Sequence, residues 1–168
     1  DEMKKVVCQA IDEATEKIHE TVLRIESEPE LGYKETKTAA KVESYMKELG
    51  LTPQTGLALT GVKTCVDGGK KGPAVAVLAE LDAVGTPDSP KADPLTGAAH
   101  TCGHFLQMAS MLAACTGIVK SDVMKDLAGS AVFFAVPAEE YVEIDYRKRL
   151  VKEGKIHFLG GKSELVYE

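Results

Sequence analysis

Cys102 and His104 stand two residues apart in His100-Thr101-Cys102-Gly103-His104. A thiolate and an imidazole at that spacing can converge on one cation when the backbone is extended or turned. In a regular helix they diverge. The pair is therefore expected just before a helix or at its first turn, with Gly103 easing the change of direction. A helix beginning there would lower the pKa of Cys102 and favour the thiolate. Thiolate and imidazole together suit zinc or another borderline transition metal. Taken alone, Cys-x-His also fits a buried cysteine beside a turn histidine.

Glu139-Glu140 follows directly on the apolar run Ser130 to Val136. Two adjacent carboxylates at a core edge lose hydration and repel each other unless a cation or a proton compensates. A division of labour would resolve the conflict, with one glutamate binding a metal and the other taking a proton from water. The plainer alternative is the acidic first turn of the next helix, favoured by its dipole. Glu80 and Asp82 end another apolar run and could be ligands, groups that orient ligands, or a turn pair. His19 reads as solvated, His100 as a residue that orients its loop, and His157 as a surface or packing histidine.

The elements around these residues alternate. Val7, Ile11, Ala14, Ile18, Val22 and Ile25 recur at steps of three and four, which predicts one amphipathic helix over 3–26 ending before Pro29. A second helix is expected over 35–49, with Gly50 just past its end. Strands are expected near 61–66 and 73–81, joined by a hairpin-like Asp67-Gly68-Gly69-Lys70-Lys71-Gly72. Residues 82–103 read as a long loop, the kind that is usually functional or mobile. A helix over 104–118, a strand over 130–136 and a charged helix over about 142–152 complete the pattern. No clear period marks 156–168. The expected fold class is α/β, with a mixed, largely parallel sheet flanked by helices and a site beyond the carboxyl ends of its strands.

The 168 residues are 44% hydrophobic and 27% charged, which suits one domain with a real core. A net charge of −6 argues against nucleic acid or an anionic membrane as partner. No apolar run approaches a membrane span, and no signal-peptide pattern opens the chain, so a cytoplasmic location is expected. The four cysteines are scattered without a CxxC and are expected as reduced thiols.

Four motifs in order resemble the metal-dependent amidohydrolase group of aminoacylases, hippurate hydrolases, indole-acetyl-amino-acid hydrolases and aminobenzoyl-glutamate hydrolases. Pro29-Glu30-Leu31-Gly32-Tyr33-Lys34-Glu35 resembles its entry to the second helix. Glu80-Leu81-Asp82-Ala83 resembles its Asp-containing strand end. His100-Thr101-Cys102-Gly103-His104 and Pro137-Ala138-Glu139-Glu140 resemble its metal and glutamate motifs. The resemblance spans nearly the whole chain. It implies Cys102, His104 and Glu140 as metal ligands and Glu139 as general base. It also implies two divalent ions per full-length site (zinc, manganese, nickel or cobalt) and hydrolysis of the amide of an N-acyl amino acid or aminobenzoyl-glutamate-type substrate. Phe105 departs from the pattern, since many members carry Asp there. The family has a further ligand His beyond the stretch matched here, another near its C-terminus, and a separate lid or dimerisation domain. The chain is thus expected to be the N-terminal part of a catalytic domain, inactive alone, from a full-length protein able to form homodimers. Two rival readings are a non-catalytic metal-binding module on the same ligands and a cysteine hydrolase using Cys102 and His104. The cysteine hydrolase leaves the glutamate pair without a role.

Overall fold

The computed structural model describes residues 2–168. The predicted first helix is two: α1 (Glu2–Glu13) and α2 (Thr15–Glu26). The break lies at Ala14, whose N–H bonds the Ile11 carbonyl at 3.0 Å, while the Thr15 hydroxyl bonds the same carbonyl at 3.2 Å. A hydroxyl turned back onto the preceding turn competes with the helical ladder and bends it. The apolar stripe nevertheless continues across the break, because Ala14, Ile18, Val22 and Ile25 all enter one core. Helix α3 (Thr36–Glu48) follows as expected, with Gly50 at φ 81° beyond its end.

Next in the chain come β1 (Gln54–Leu57), β2 (Gly61–Asp67) and β3 (Lys70–Glu80). The loop after β3 holds only a two-residue pair, β4 (Val84–Gly85) with β5 (Ala98–Ala99). Helix α4 (His104–Ser121), a short 3-10 turn, β6 (Ala128–Val136), α5 (Ile144–Lys152) and α6 (Gly161–Tyr167) complete the chain. No helix among the described residues is long and apolar enough to cross a membrane.

The main sheet has the order β1-β2-β6-β3. It is mixed, as expected, but not largely parallel: β1–β2 and β2–β6 are antiparallel and only β3–β6 is parallel. The expected hairpin between β2 and β3 is also corrected. β6 lies between them, and the 67–72 connection passes the start of β6, where the Gly68 N–H bonds the Gly129 carbonyl at 2.7 Å. The helices gather on one face, where α2, α3 and α4 enclose Val62, Ala79, Phe133 and Ala135 of the sheet. Alternation sends Ala76, Leu78, Val132 and Phe134 to the opposite face.

Because β3 and β6 run in parallel and in register, Glu80 lies opposite Val136 and the two strands stop together. The Leu81 N–H still bonds the Val136 carbonyl at 2.9 Å. Asp82 and the Pro137–Glu140 turn therefore emerge side by side, and the first residue of α4, His104, arrives beneath them.

Candidate active site

Gly103 at φ 98° makes the turn that starts α4, a conformation that costs a side-chain-bearing residue far more than glycine. That turn places Cys102 outside the helix and His104 at its first position, so the two side chains need not diverge. His104 is 2% exposed. Its Nδ1 lies 2.8 Å from the Asp82 carbonyl oxygen and 3.4 Å from Asp82 Oδ1. Its Nε2 lies 3.1 Å from Glu80 Oε2, and 3.9 Å from both Glu139 Oε2 and Glu140 Oε1. Ligand-type atoms of Cys102, His104 and Glu140 all lie within 4.8 Å of one another, as do those of Glu80, His104 and Glu139. The four residues singled out in the sequence thus share one spot, together with Glu80.

The electrostatics of that spot are lopsided. Burial works against a charged His104, but hydrogen bonds to the Asp82 side chain and carbonyl and the charges of Asp82 and Glu80 outweigh it. Its pKa is raised to about 9. Cys102 moves opposite to expectation: its pKa is raised to about 11, first by a hydrogen bond to Glu140, then by burial and the charges of Glu140, Glu139 and Glu80. The start of α4 is a weaker influence than three carboxylates at close range. A thiolate ligand here needs a cation beside it.

The donor set fits a divalent ion. Thiolate, imidazole and carboxylate are the usual ligand types for zinc and its neighbours, and three of them leave a position open. Buried Asp82 Oδ1 lacks a hydrogen-bond partner, yet it faces His104 Nδ1, where a carboxylate orients a metal-bound imidazole. Lys162 of α6 is the cation already present, paired with Glu80 and 3.8 Å from Glu139 Oε1.

His100 stays out of the cluster. Both ring nitrogens are buried without partners, its ring lies 5.8 Å from that of Phe105, and burial followed by the His104 charge lowers its pKa to about 4. His157 stacks on Tyr167 at 4.0 Å and bonds Glu164, and His19 is exposed. The cysteines are all free thiols, with Cys115 buried.

Sequence reading missed three residues near the site. Glu35 is fully buried and accepts the Thr60 hydroxyl and the Ala138 N–H, each at 2.7 Å. Arg147 is fully buried beneath the glutamate turn. The signal for Glu35 was its motif, and for Arg147 its place three residues before buried Leu150 on the inner side of α5. Nothing in the sequence distinguished Lys162 from any other surface lysine.

No family model matches the chain. The chain is 32% identical over 136 residues to thermostable carboxypeptidase 2 of Saccharolobus solfataricus, covering 78% of the chain and 34% of that protein. It is 31% identical over 120 residues to IAA-amino acid hydrolase ILR1-like 4 of Arabidopsis thaliana, covering 70% and 27%. Among solved structures, the Bacillus subtilis YXEP protein, a dinuclear metal binding peptidase from the M20 family, aligns with a TM-score of 0.65 at 24% identity. That alignment covers 82% of this chain and 39% of that one, and it speaks to the fold. The chain spans about a third of the length of the curated relatives it matches. With relatives of these kinds and a fold of this form, the chain belongs to the family of metal-dependent amidohydrolases and metallopeptidases.

Proposed function

We propose that the whole protein hydrolyses the amide bond of an N-acyl amino acid or an aminobenzoyl-glutamate-type compound. Cys102, His104 and Glu140 would hold a divalent metal ion, and Glu139 would serve as general base. One observation carries the reading: the mutual approach of Cys102, His104 and Glu140 within 4.8 Å, with the Glu139 carboxylate on the same His104 nitrogen. Bound there, divalent ions such as zinc, manganese, nickel or cobalt would acidify water and polarise the scissile carbonyl.

Each residue then has a task that its position suits. The Asp82 carbonyl accepts the His104 Nδ1–H, with the Asp82 carboxylate 3.4 Å away, and so leaves Nε2 as the donor atom toward the cation. Glu139, partly exposed at the turn, takes the proton of the attacking water and returns it to the leaving nitrogen. Lys162 holds Glu80 and lies near Glu139, keeping negative charge available at the mouth of the site. The names of the relatives, an IAA-amino acid hydrolase and a carboxypeptidase, support a substrate with an amide next to an amino-acid carboxylate.

Glu139→Gln and Glu140→Gln in the whole protein separate the two roles. Glu139→Gln should keep its metal and lose turnover by about 10²-fold or more. Glu140→Gln should lose metal content first. Full activity in Glu139→Gln, or unchanged metal content in Glu140→Gln, would remove the corresponding assignment. Metal binding with no turnover on any N-acyl amino acid would favour a non-catalytic metal-binding module instead. Iodoacetamide labelling mapped to Cys102 gives an independent check, because a ligated thiolate should resist alkylation until a chelator is added. The 168 residues alone are expected to show little or no turnover, since three ligands do not readily hold two ions.

A further inference from the structure

Arg147 is the largest of the fully buried side chains among the described residues. A buried charge without compensation is strongly unfavourable. No carboxylate lies within ion-pair distance of it among the described residues; its Nη groups donate to backbone carbonyls instead, and its buried Nε has no hydrogen-bond partner. Nη1 donates to the Leu159 carbonyl at 2.6 Å and the Ala138 carbonyl at 3.4 Å, and Nη2 donates to the Glu140 carbonyl. The rings of Tyr33 and Tyr141 lie 5.4 and 5.8 Å from the guanidinium carbon, favourable ground for a cation.

The same turn is held from another direction. Glu35 accepts the Ala138 N–H at 2.7 Å, and Asp82 Oδ2 accepts the Glu140 N–H at 2.9 Å. Ala138 sits at φ 50°, a left-handed conformation that a non-glycine residue keeps only when its surroundings fix it. Gly32 makes the approach possible: a Cβ there would overlap the Arg147 guanidinium and lie 2.9 Å from Ala138 Cα. Arg147 of α5, Asp82 after β3, and Gly32 and Glu35 of the segment before α3 thus converge on a three-residue turn whose own side chains, Glu139 and Glu140, point at the site.

We infer that Arg147 and Glu35 are positioning residues. By gripping the Ala138–Glu140 backbone from both sides, they set the directions in which the Glu139 and Glu140 carboxylates leave the turn. This rests on the reading of Glu140 as a metal ligand. Side chains that hold a ligand in place affect metal affinity by about 10- to 100-fold in other sites, although they never touch the ion.

Cobalt(II) alone, added to the 168-residue chain, is the probe, and thiolate-to-cobalt absorption is the readout. Arg147→Met removes the grip but fills the space with an apolar chain of similar length. Glu35→Leu removes the Ala138 contact, whereas Glu35→Gln can make both of the Glu35 hydrogen bonds. The expected result is at least about a 10-fold loss of cobalt affinity in Arg147→Met and Glu35→Leu, and near-wild-type affinity in Glu35→Gln. Far-UV circular dichroism at the titration temperature must show equal folded fractions. If Arg147→Met does not fold, Arg147→Lys keeps the buried charge without the fork and should show the same direction of loss. Wild-type affinity in folded Arg147 and Glu35→Leu variants would overturn the inference while leaving the metal reading intact. If the unmodified chain gives no thiolate-to-cobalt band and behaves like Glu140→Gln, the metal reading fails and this inference falls with it.

Discussion

Glu35 shows how one buried carboxyl couples the site to pH. Burial raises its pKa to about 7, against the hydrogen bonds from Thr60 and Ala138, and the charge of Asp82 adds to the rise. An acid whose folded pKa lies above its unfolded value favours folding most when it is protonated in both states. That stability is fully present below the unfolded pKa near 4.5 and is lost as pH rises through about 7. Glu35→Gln stays neutral and can accept from Ala138 N–H while donating to Thr60. The variant should therefore gain stability relative to the unmodified chain between about pH 5 and pH 8, by up to roughly 3 kcal/mol. Urea unfolding at both pH values measures the difference. Parallel behaviour of the two proteins would mean that Glu35 titrates like an exposed carboxylate. At this scale the sequence was informative about residues whose type already declares a chemistry. Cys102, His104, Glu139 and Glu140 meet at one place, but Arg147 and Lys162 owe their importance to what they face. A single sequence does not record that.

The Pro29–Glu35 segment acts as an element joint, and its hydrogen bonds explain why a surface-looking motif matters. The Glu30 carboxylate accepts the N–H groups of Lys37 at 3.1 Å and Thr38 at 2.8 Å, and the hydroxyl of Thr38 at 2.9 Å. It thereby satisfies two of the free amides at the start of α3 and meets the positive end of its dipole. The Glu30 carbonyl accepts the Ala83 N–H at 2.8 Å, which ties the helix start to the strand end beside Asp82. Glu30→Ala should cost about 1–2 kcal/mol, read as a lower urea midpoint at unchanged slope. A change below a few tenths would show that water replaces the cap. Most helices and strands were legible because hydrophobic period and glycine placement are local. What failed was pairing. Nothing in 61–81 reveals that β6, some fifty residues later, inserts between β2 and β3 and turns an expected hairpin into a crossing. The break at Ala14 escaped for a related reason, since the apolar stripe runs on through it. The short helix α6 escaped because Gly160-Gly161 reads as an interruption, whereas Gly161 packs against the Pro137 carbonyl.

At the scale of the whole molecule, the sheet is covered on one face and open on the other. β3 is an edge strand in the order β1-β2-β6-β3, and its hydrogen-bonding groups on the side away from β6 have no strand partner among the described residues. Lys70, Lys71 and Pro73 guard its first half, since charge and proline discourage pairing at an edge. In the second half, Ala76 and Leu78 are apolar, exposed and on the open face, with Leu78 51% accessible. Val132 and Phe134 extend the same apolar face from β6. An open edge beside an apolar face is a template for a second copy of the same chain. The 168-residue chain should therefore self-associate with rising concentration, through β3. Sedimentation velocity across a hundredfold range of concentration would detect it as a shift to larger species. Leu78→Lys places a charge on the open face without touching Glu80, His104 or the glutamate turn. It should return the chain to monomer and leave its circular dichroism and cobalt affinity unchanged. If the unmodified chain stays monomeric throughout, the edge is protected well enough by Lys70, Lys71 and Pro73. If Leu78→Lys self-associates as before, the contact lies elsewhere on the molecule.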